Sequence, residues 1–249
     1  MSGFLSGLQS SISPDDLTVN ANRVATGDLR AATVNETHMV FVDADTDTAY
    51  LGGVTNGIAV ARGGHMTFNG TATYFDDMLH SLIGQKMESP SSDVVQNIVE
   101  GTVDFKTSSE LVDYVIMNIQ MQHKRKNGAA IRPHLHWLQA SATMPHWLIQ
   151  YRYQKLGAVK TTAWTALKWT ANTFTFAPGT TLNQITEFGT IMPPAGDGVS
   201  DILQVRLLRD TKNASNLFGV ADALNATVAA LSFDVHVECD RLGSNTEYS

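Results

Sequence analysis

Apolar and polar residues alternate most regularly near the end of the chain, over residues 233–240. Because successive side chains of an extended strand point to opposite sides, this alternation predicts a strand with one apolar and one polar face. The apolar face is formed by Phe233, Val235, Val237 and Cys239, and the polar face by Asp234, His236, Glu238 and Asp240. Residues 147–154 alternate in the same way and predict a second strand of this kind.

Residues 111–122 also alternate, but both sides of the predicted strand are largely apolar. That pattern is typical of a strand whose outer side is covered by another element or another subunit. Further short strands are predicted at 164–169, 173–176, 185–191 and 202–208. Seven or eight strands with turn-rich connections predict an all-β chain, with a β-sandwich of jelly-roll type over residues 101–249.

The first hundred residues have a different pattern. Residues 38–100 contain short extended pieces and closely spaced turn signals such as Asn56-Gly57 and Asn69-Gly70, which predict a small Gly-rich β module followed by a connector. Within it, residues 76–83 are predicted to form either a short helix that ends at Gly84 or a loop. Residues 1–37 are weakly patterned and are interpreted as an extended N-terminal arm.

Composition narrows the functional classes. Only 16% of the residues are charged, below the roughly 25% of an average soluble domain, and such a surface suits burial against neighbouring subunits. A Thr-rich β protein that has a polar uncharged surface and no subunit contacts would have the same low fraction of charged residues. The net charge of −7 and the single basic run at 124–126 argue against a nucleic-acid partner. We expect no membrane span and no intrachain disulfide, since Cys239 is the single cysteine.

The strongest candidate for chemistry is the segment Arg132-Pro133-His134-Leu135-His136-Trp137. A His-x-His pair on a strand places both imidazoles on one face, at a spacing that can chelate a metal. Jelly rolls of the cupin type bind metal in this way, so a cupin-like metal-dependent enzyme is one hypothesis. In a cupin-like site a Glu follows the His pair a few residues later, and a further His comes from a later strand. No such Glu is present here. His146, His236 or Glu238 could complete the set. Otherwise His134 and His136 are structural histidines, and no cofactor is expected.

The polar face of the last strand can also be interpreted either as a chemical site or as a structural feature. Asp234, His236, Glu238 and Asp240 could form an acid–base or metal cluster, or could be neutralised by Arg206 and Arg209 in a purely structural role. The sequence contains no nucleophile elbow and no phosphate-binding Gly-rich loop, which favours a protein that is not an enzyme.

Four tryptophans allow two interpretations. Trp137, Trp147, Trp164 and Trp169 could stack against sugars, which would make the protein an adhesion module for a host surface glycan. Tryptophans at strand positions are more often core or interface anchors.

Several segments resemble a widespread group of tailed-bacteriophage virion proteins. That group has Ala-Thr-x-Trp-Asp-Asp-Leu, then Pro-His-x-His-Trp, then a Trp-x-x-x-Tyr strand, and closes with Arg-Leu-x-Arg-Asp and Asp-x-His-x-x-x-Asp-x-x-Gly-Ser. The matching segments here are residues 71–77, 132–137, 147–151, 206–210 and 233–244, in the same order. The resemblance spans residues 71–248, and it departs from the pattern at Phe75, where the group has Trp, and at Asn245, where it has Arg.

The resemblance implies a structural virion component, made in the host cytoplasm and docked on the head, collar or tail as a fibre or decoration protein. Its partners would be other virion proteins. The low charge, the two-sided apolar strands and the habits of such proteins together predict a homotrimer. The residues expected at or near its interfaces are His134, His136, Trp137, Trp147 and His236.

Overall fold

The computed structural model describes residues 29–31, 40–43, 45–90, 92–108, 111–170 and 181–242. Most of the predicted arm (1–37) and the strand predicted at 173–176 lie outside the described residues. Within them the secondary structure consists of β-strands and a single 3₁₀ turn at Gly70–Ala72, which confirms the all-β class. The chain forms two compact units, Met1–Thr73 and Tyr74–Ser249.

The first unit contains an antiparallel five-stranded sheet in which each strand pairs with the next along the chain. Residues 40–69 of this sheet lie within the segment predicted as a small β module, 38–100, whereas residues 29–31 lie within the predicted arm. Its strands are β1 (Leu29–Ala31), β2 (Val40–Asp43), β3 (Thr48–Leu51), β4 (Gly57–Ala61) and β5 (Met66–Asn69).

The second unit is built from two antiparallel sheets. Its strands are β6 (Tyr74–Ser81), β7 (Lys86–Glu88), β8 (Val94–Asn97), β9 (Thr102–Phe105), β10 (Tyr114–Gln120), β11 (Ile131–Gln139), β12 (Trp147–Gln154), β13 (Thr165–Lys168), β14 (Leu182–Glu187), β15 (Ile202–Arg209) and β16 (Val228–Cys239).

Strand order confirms the jelly roll. One sheet has the order β14-β11-β16-β9-β8, with β6 pairing alongside β16, and the other has the order β13-β12-β15-β10-β7. Among the described residues, the eight strands from β9 to β16 are divided between two four-stranded sheets, β9-β16-β11-β14 and β10-β15-β12-β13, and every connection except that from β12 to β13 crosses from one sheet to the other. This is the arrangement of two Greek keys in a jelly roll. Strands β6, β7 and β8 extend its edges.

The core lies between the two sheets and is formed by alternate residues of their inner faces. Val115, Met117 and Ile119 of β10 are fully buried against the inner residues of β16, of which Phe233, Val235, Val237 and Cys239 are fully buried. The predicted faces of the last strand are therefore correct. Burial also raises the pKa of the Cys239 thiol, as expected of a cysteine that packs as an apolar residue.

The predicted helix at 76–83 is wrong. Residues 76–81 belong to β6, which pairs with β16 over its full length, from Tyr74 opposite Cys239 to Ser81 opposite Ser232, and residues 82–83 lie in the turn that follows. The segment has strand periodicity, because Met78 points into the core while Leu79 points outward. Pairing with a long neighbouring strand outweighs a weak helical pattern, since propensity is routinely overridden by tertiary contacts.

The outer side of β10 is only partly covered. Tyr114 lies beneath the Arg206 guanidinium, 4.2 Å from the ring centre, whereas Asn118 and Gln120 are exposed. The outer side of β10 was expected to be covered by another element or another subunit. Within this chain that coverage is incomplete. The sequence also placed the start of the sandwich at residue 101. The jelly-roll strands do begin at Thr102, but the compact unit begins at Tyr74 because β6 to β8 pair with them.

Candidate functional site

Four neighbouring strands, β14, β11, β16 and β6, present their outer side chains on one surface, which we call the His face. The register of the sheet places His134 of β11 opposite Asp234 of β16 on one side and opposite Glu187 of β14 on the other. It also places His236 of β16 opposite Asp77 of β6. Directly opposite residues of antiparallel strands share a face, so these side chains converge.

The imidazoles of β11 share one carboxylate oxygen. His134 Nε2 lies 3.2 Å and His136 Nε2 lies 3.0 Å from Asp234 Oδ2. The His134 ring also packs edge-on against His236, with ring centres 4.4 Å apart. His236 Nε2 in turn contacts Asp77 Oδ1. The predicted His-x-His pair and the predicted polar face of the last strand therefore form one cluster.

Asp234 is the most deeply placed acid of the cluster, with only 4% of its surface exposed. Its Oδ2 contacts both histidines, but among the described residues its Oδ1 has no hydrogen-bond partner although it is buried. A buried carboxylate oxygen without a partner is costly. Nearby, burial lowers the pKa of His80, and the Asp234 carboxylate opposes that shift.

The cluster borders a cleft of about 500 Å³. Its lining includes His134, His136 and His236 together with Glu187 and Arg132. The cleft opens on the outer side of the sheet, since the inner side of β11 carries the buried Ile131 and Leu135. A cupin-like site would be expected instead inside the sandwich, where small β-barrels enclose ligands.

Large apolar side chains flank the polar centre on both sides. Ile185 of β14 lies opposite His136, and Leu79 and Phe75 of β6 lie opposite Asp234 and Glu238. Ile185 is 51% exposed, Leu79 68% and Phe75 56%. The Arg132 guanidinium lies 5.1 Å from the centre of the Phe75 ring. An apolar rim around a polar centre distinguishes this surface from ordinary scattered exposure of single apolar residues.

Two residues expected at an interface are part of the core. Trp137 and Trp147 are both buried, with ring centres 6.2 Å apart, and Trp137 Nε1 donates to Thr186 Oγ1 at 2.8 Å. The reason is strand periodicity: Trp137 follows His136 and so points to the opposite side of β11. Burial leaves these two rings unable to stack against a sugar, while Trp164 and Trp169 are partly buried.

The predicted neutralising role of Arg206 and Arg209 is also wrong, because both lie on β15 of the other sheet. Arg206 stacks on Trp164, and Arg209 pairs with Asp222. The acids of β16 have local partners instead. Lys126 Nζ lies 2.7 Å from Glu238 Oε1, and Arg241 binds Asp240.

His146, one of the residues proposed to complete a metal set, lies elsewhere. Its ring stacks on Phe218 with centres 4.2 Å apart, in a separate cleft of about 650 Å³ that Trp169 also lines. Asp77 was not predicted as a site residue. The Asp-Asp pair at residues 76 and 77 is visible in the sequence. Because a helix was predicted there, the pair was not placed beside β16.

The three basic residues at 124–126 form ion pairs with acidic residues of the same chain. Lys124 Nζ lies 2.7 Å from Asp76 Oδ2, Arg125 forms a buried pair with Asp197, and Lys126 pairs with Glu238. In the part of the chain that the structure describes, no helix is long and apolar enough to span a membrane.

Comparison with known proteins gives little further information. No protein-family description and no curated protein matches the chain. Among solved structures, the chain is similar to a xylan-binding module CBM15, with 12% sequence identity and a TM-score of 0.36 over 66% of this chain and 97% of that one. A likeness at this level says nothing about what the present chain binds.

Proposed function

We propose that this protein is a structural, non-enzymatic component of a tailed-phage virion, and that it assembles as a homotrimer through the His face. One observation carries the proposal. Three of the segments that resemble the phage group, residues 71–77, 132–137 and 233–244, are far apart in sequence but meet on this face through Asp77, the His-x-His pair and the last strand. These three shared motifs therefore contribute to one surface.

The character of that surface favours a protein partner over a small substrate. Exposed Phe75, Leu79 and Ile185 lie on both sides of the polar cluster, and apolar and aromatic side chains gain free energy when another protein covers them. We assign the covering surface to further copies of this chain, since most oligomers are symmetric homo-oligomers and the charged fraction of the chain is low. Residues 1–73 are assigned to attachment on the head, collar or tail.

Light scattering of the purified protein tests the assembly. We expect a particle of three times the chain mass of 27.0 kDa. The double substitution Leu79→Glu and Ile185→Glu should dissociate it, because each introduces a carboxylate into the apolar rim. Val159→Glu is the matched control, since Val159 is almost fully exposed and lies away from the His face in the connection between β12 and β13.

A wild-type protein that is monomeric at micromolar concentration would contradict the trimer. A trimer that survives the double substitution would place the contact on another surface. The virion role is tested separately by labelling intact phage particles with an antibody against the protein, and absence of the protein from purified particles would refute it.

A further inference from the structure

We infer that His134, His136 and Asp234 form a binding site for a divalent transition-metal ion of the Zn²⁺ type. Two imidazoles and one carboxylate are a common protein ligand set for Zn²⁺, with one position left for an exchangeable ligand. The inference is independent of the proposed assembly, because all three residues belong to one chain and two adjacent strands.

The distances fit a shared ion. His134 Nε2 and His136 Nε2 lie 3.2 and 3.0 Å from Asp234 Oδ2. With metal–ligand bonds of about 2.0–2.1 Å, two ligand atoms in a tetrahedral site lie about 3.3 Å apart. Small side-chain rotations would therefore be enough to admit the ion, and the ligand atoms of all three residues lie within 4.8 Å of one another.

The sheet holds the three residues in place. His134 and His136 are two residues apart on β11 and so point to the same side, and Asp234 is fixed opposite His134 by the register with β16. His134 and Asp234 are buried, while the side chain of His136 is 23% exposed toward the cleft. Ligands on rigid strands lose little conformational freedom when they bind an ion.

The state of Asp234 is the second, independent observation. Its carboxylate is almost completely removed from water, and its Oδ1 has no hydrogen-bond partner among the described residues. If both histidines simply donate hydrogen bonds to Asp234, then Oδ2 accepts two hydrogen bonds and Oδ1 accepts none. A bound cation compensates a buried carboxylate directly, whereas hydrogen bonds to one of its two oxygens do so only in part.

A neighbouring group, Asp77, His134 and His236, also brings three possible ligand atoms together. We favour the deeper set because the side chains of Asp77 and His236 are 60% and 42% exposed and contact each other directly. An exposed pair of this kind is solvated without a metal. Substitutions of His136 and His236 distinguish the two sets.

The test uses tag-free protein, stripped with a chelator and titrated with Zn²⁺ by calorimetry. Wild type should bind one Zn²⁺ per chain. His136→Gln and Asp234→Asn should each weaken binding by about 100-fold or more, since even loss of a residue that merely supports a ligand costs 10–100-fold. His236→Gln should keep wild-type affinity, as should His123→Gln, the control for a partly exposed histidine that contacts Ser200 instead.

Wild type that binds no Zn²⁺, or binding that His136→Gln and Asp234→Asn leave unchanged, overturns the inference. Binding lost in His236→Gln and kept in His136→Gln assigns the ion to the neighbouring group and also overturns it. If Asp234→Asn fails to fold, His136→Gln decides, because that side chain is partly exposed. The Leu79→Glu and Ile185→Glu protein should still bind Zn²⁺, so failure of the metal site and failure of the assembly are distinguishable.

Discussion

At the scale of single residues, His146 is a titratable group held in its neutral form. Burial lowers its pKa below the ordinary value of about 6.5, while Asp222 and Asp210 oppose the shift and Arg209 adds to it. The unfolded chain therefore takes up a proton at a higher pH than the folded chain. The contribution of His146 to the free energy of unfolding is therefore fully present above about pH 6.5 and decreases as the pH drops below that value.

We predict that His146→Phe reduces this acid sensitivity. Phenylalanine keeps an aromatic ring against Phe218 but cannot be protonated. Urea denaturation at pH 7 and pH 5, with chelator present, should show a smaller loss of stability in the variant than in wild type. Part of the loss should remain, because burial also lowers the pKa of His80.

His123→Gln serves as the control, since it removes a partly exposed histidine from the same sandwich. An equal loss of stability in wild type and His146→Phe would show that His146 does not contribute to the acid response.

At the scale of elements, the end of β15 is tied to the segment that leads into β16. The buried Arg209 guanidinium pairs with Asp222 at 2.8 Å and also donates to the carbonyl oxygens of Phe105, Leu224 and Ala226. A buried arginine with this many acceptors holds three segments in one position. Removing one partner of such a pair leaves an uncompensated buried charge.

Arg209→Met should therefore lower the free energy of unfolding by about 3–5 kcal/mol. Lys86→Met, which removes one partner of the exposed Lys86–Glu88 pair, should cost less than about 1 kcal/mol. Urea denaturation followed by tryptophan fluorescence is suitable, because all four tryptophans lie in the sandwich.

Adding Asp222→Leu to Arg209→Met should recover part of the lost stability, since the carboxylate that has lost its cation is then removed as well. Recovery should be incomplete, because the backbone N–H groups of His146 and Leu224 lose the carboxylate oxygens that accept their hydrogen bonds. A double variant that is less stable by the sum of the two single losses would argue against a coupled pair.

At the scale of the whole molecule, the proposed trimer makes stability depend on protein concentration. Association that involves only folded chains stabilises the folded state by mass action. The thermal midpoint of wild type should rise as the concentration is increased, and that of the Leu79→Glu and Ile185→Glu protein should not. A wild-type midpoint that is independent of concentration would be evidence against self-association.

The same surface combines two features that need not have the same purpose. The apolar rim of Phe75, Leu79 and Ile185 suits contact with a protein, while His134, His136 and Asp234 suit a metal ion. In a trimer that used this face, the ion would lie at the subunit contact. The paired tests of assembly and Zn²⁺ binding show whether the two features depend on each other.

The sequence alone determined the features that depend on local periodicity. The faces of the last strand, the buried Cys239 and the placement of His134 and His136 on one side of a strand all follow from the twofold repeat of extended backbone. The number of strands and their turns were enough to predict the jelly roll. The same repeat also places Trp137 on the inner side, so its burial could have been read from the sequence.

Only the tertiary structure decided which strands are neighbours and in which register they pair. That register joins Asp234 to the two histidines of β11, sends Arg206 and Arg209 to the other sheet, and makes residues 74–81 a strand beside β16. The physical reason is that strands that pair in a jelly roll are far apart in the chain. The free energy gained when they pair therefore depends on residues that no local sequence pattern contains. The histidines were visible in the sequence, but the carboxylate that completes their site was assigned only by the fold.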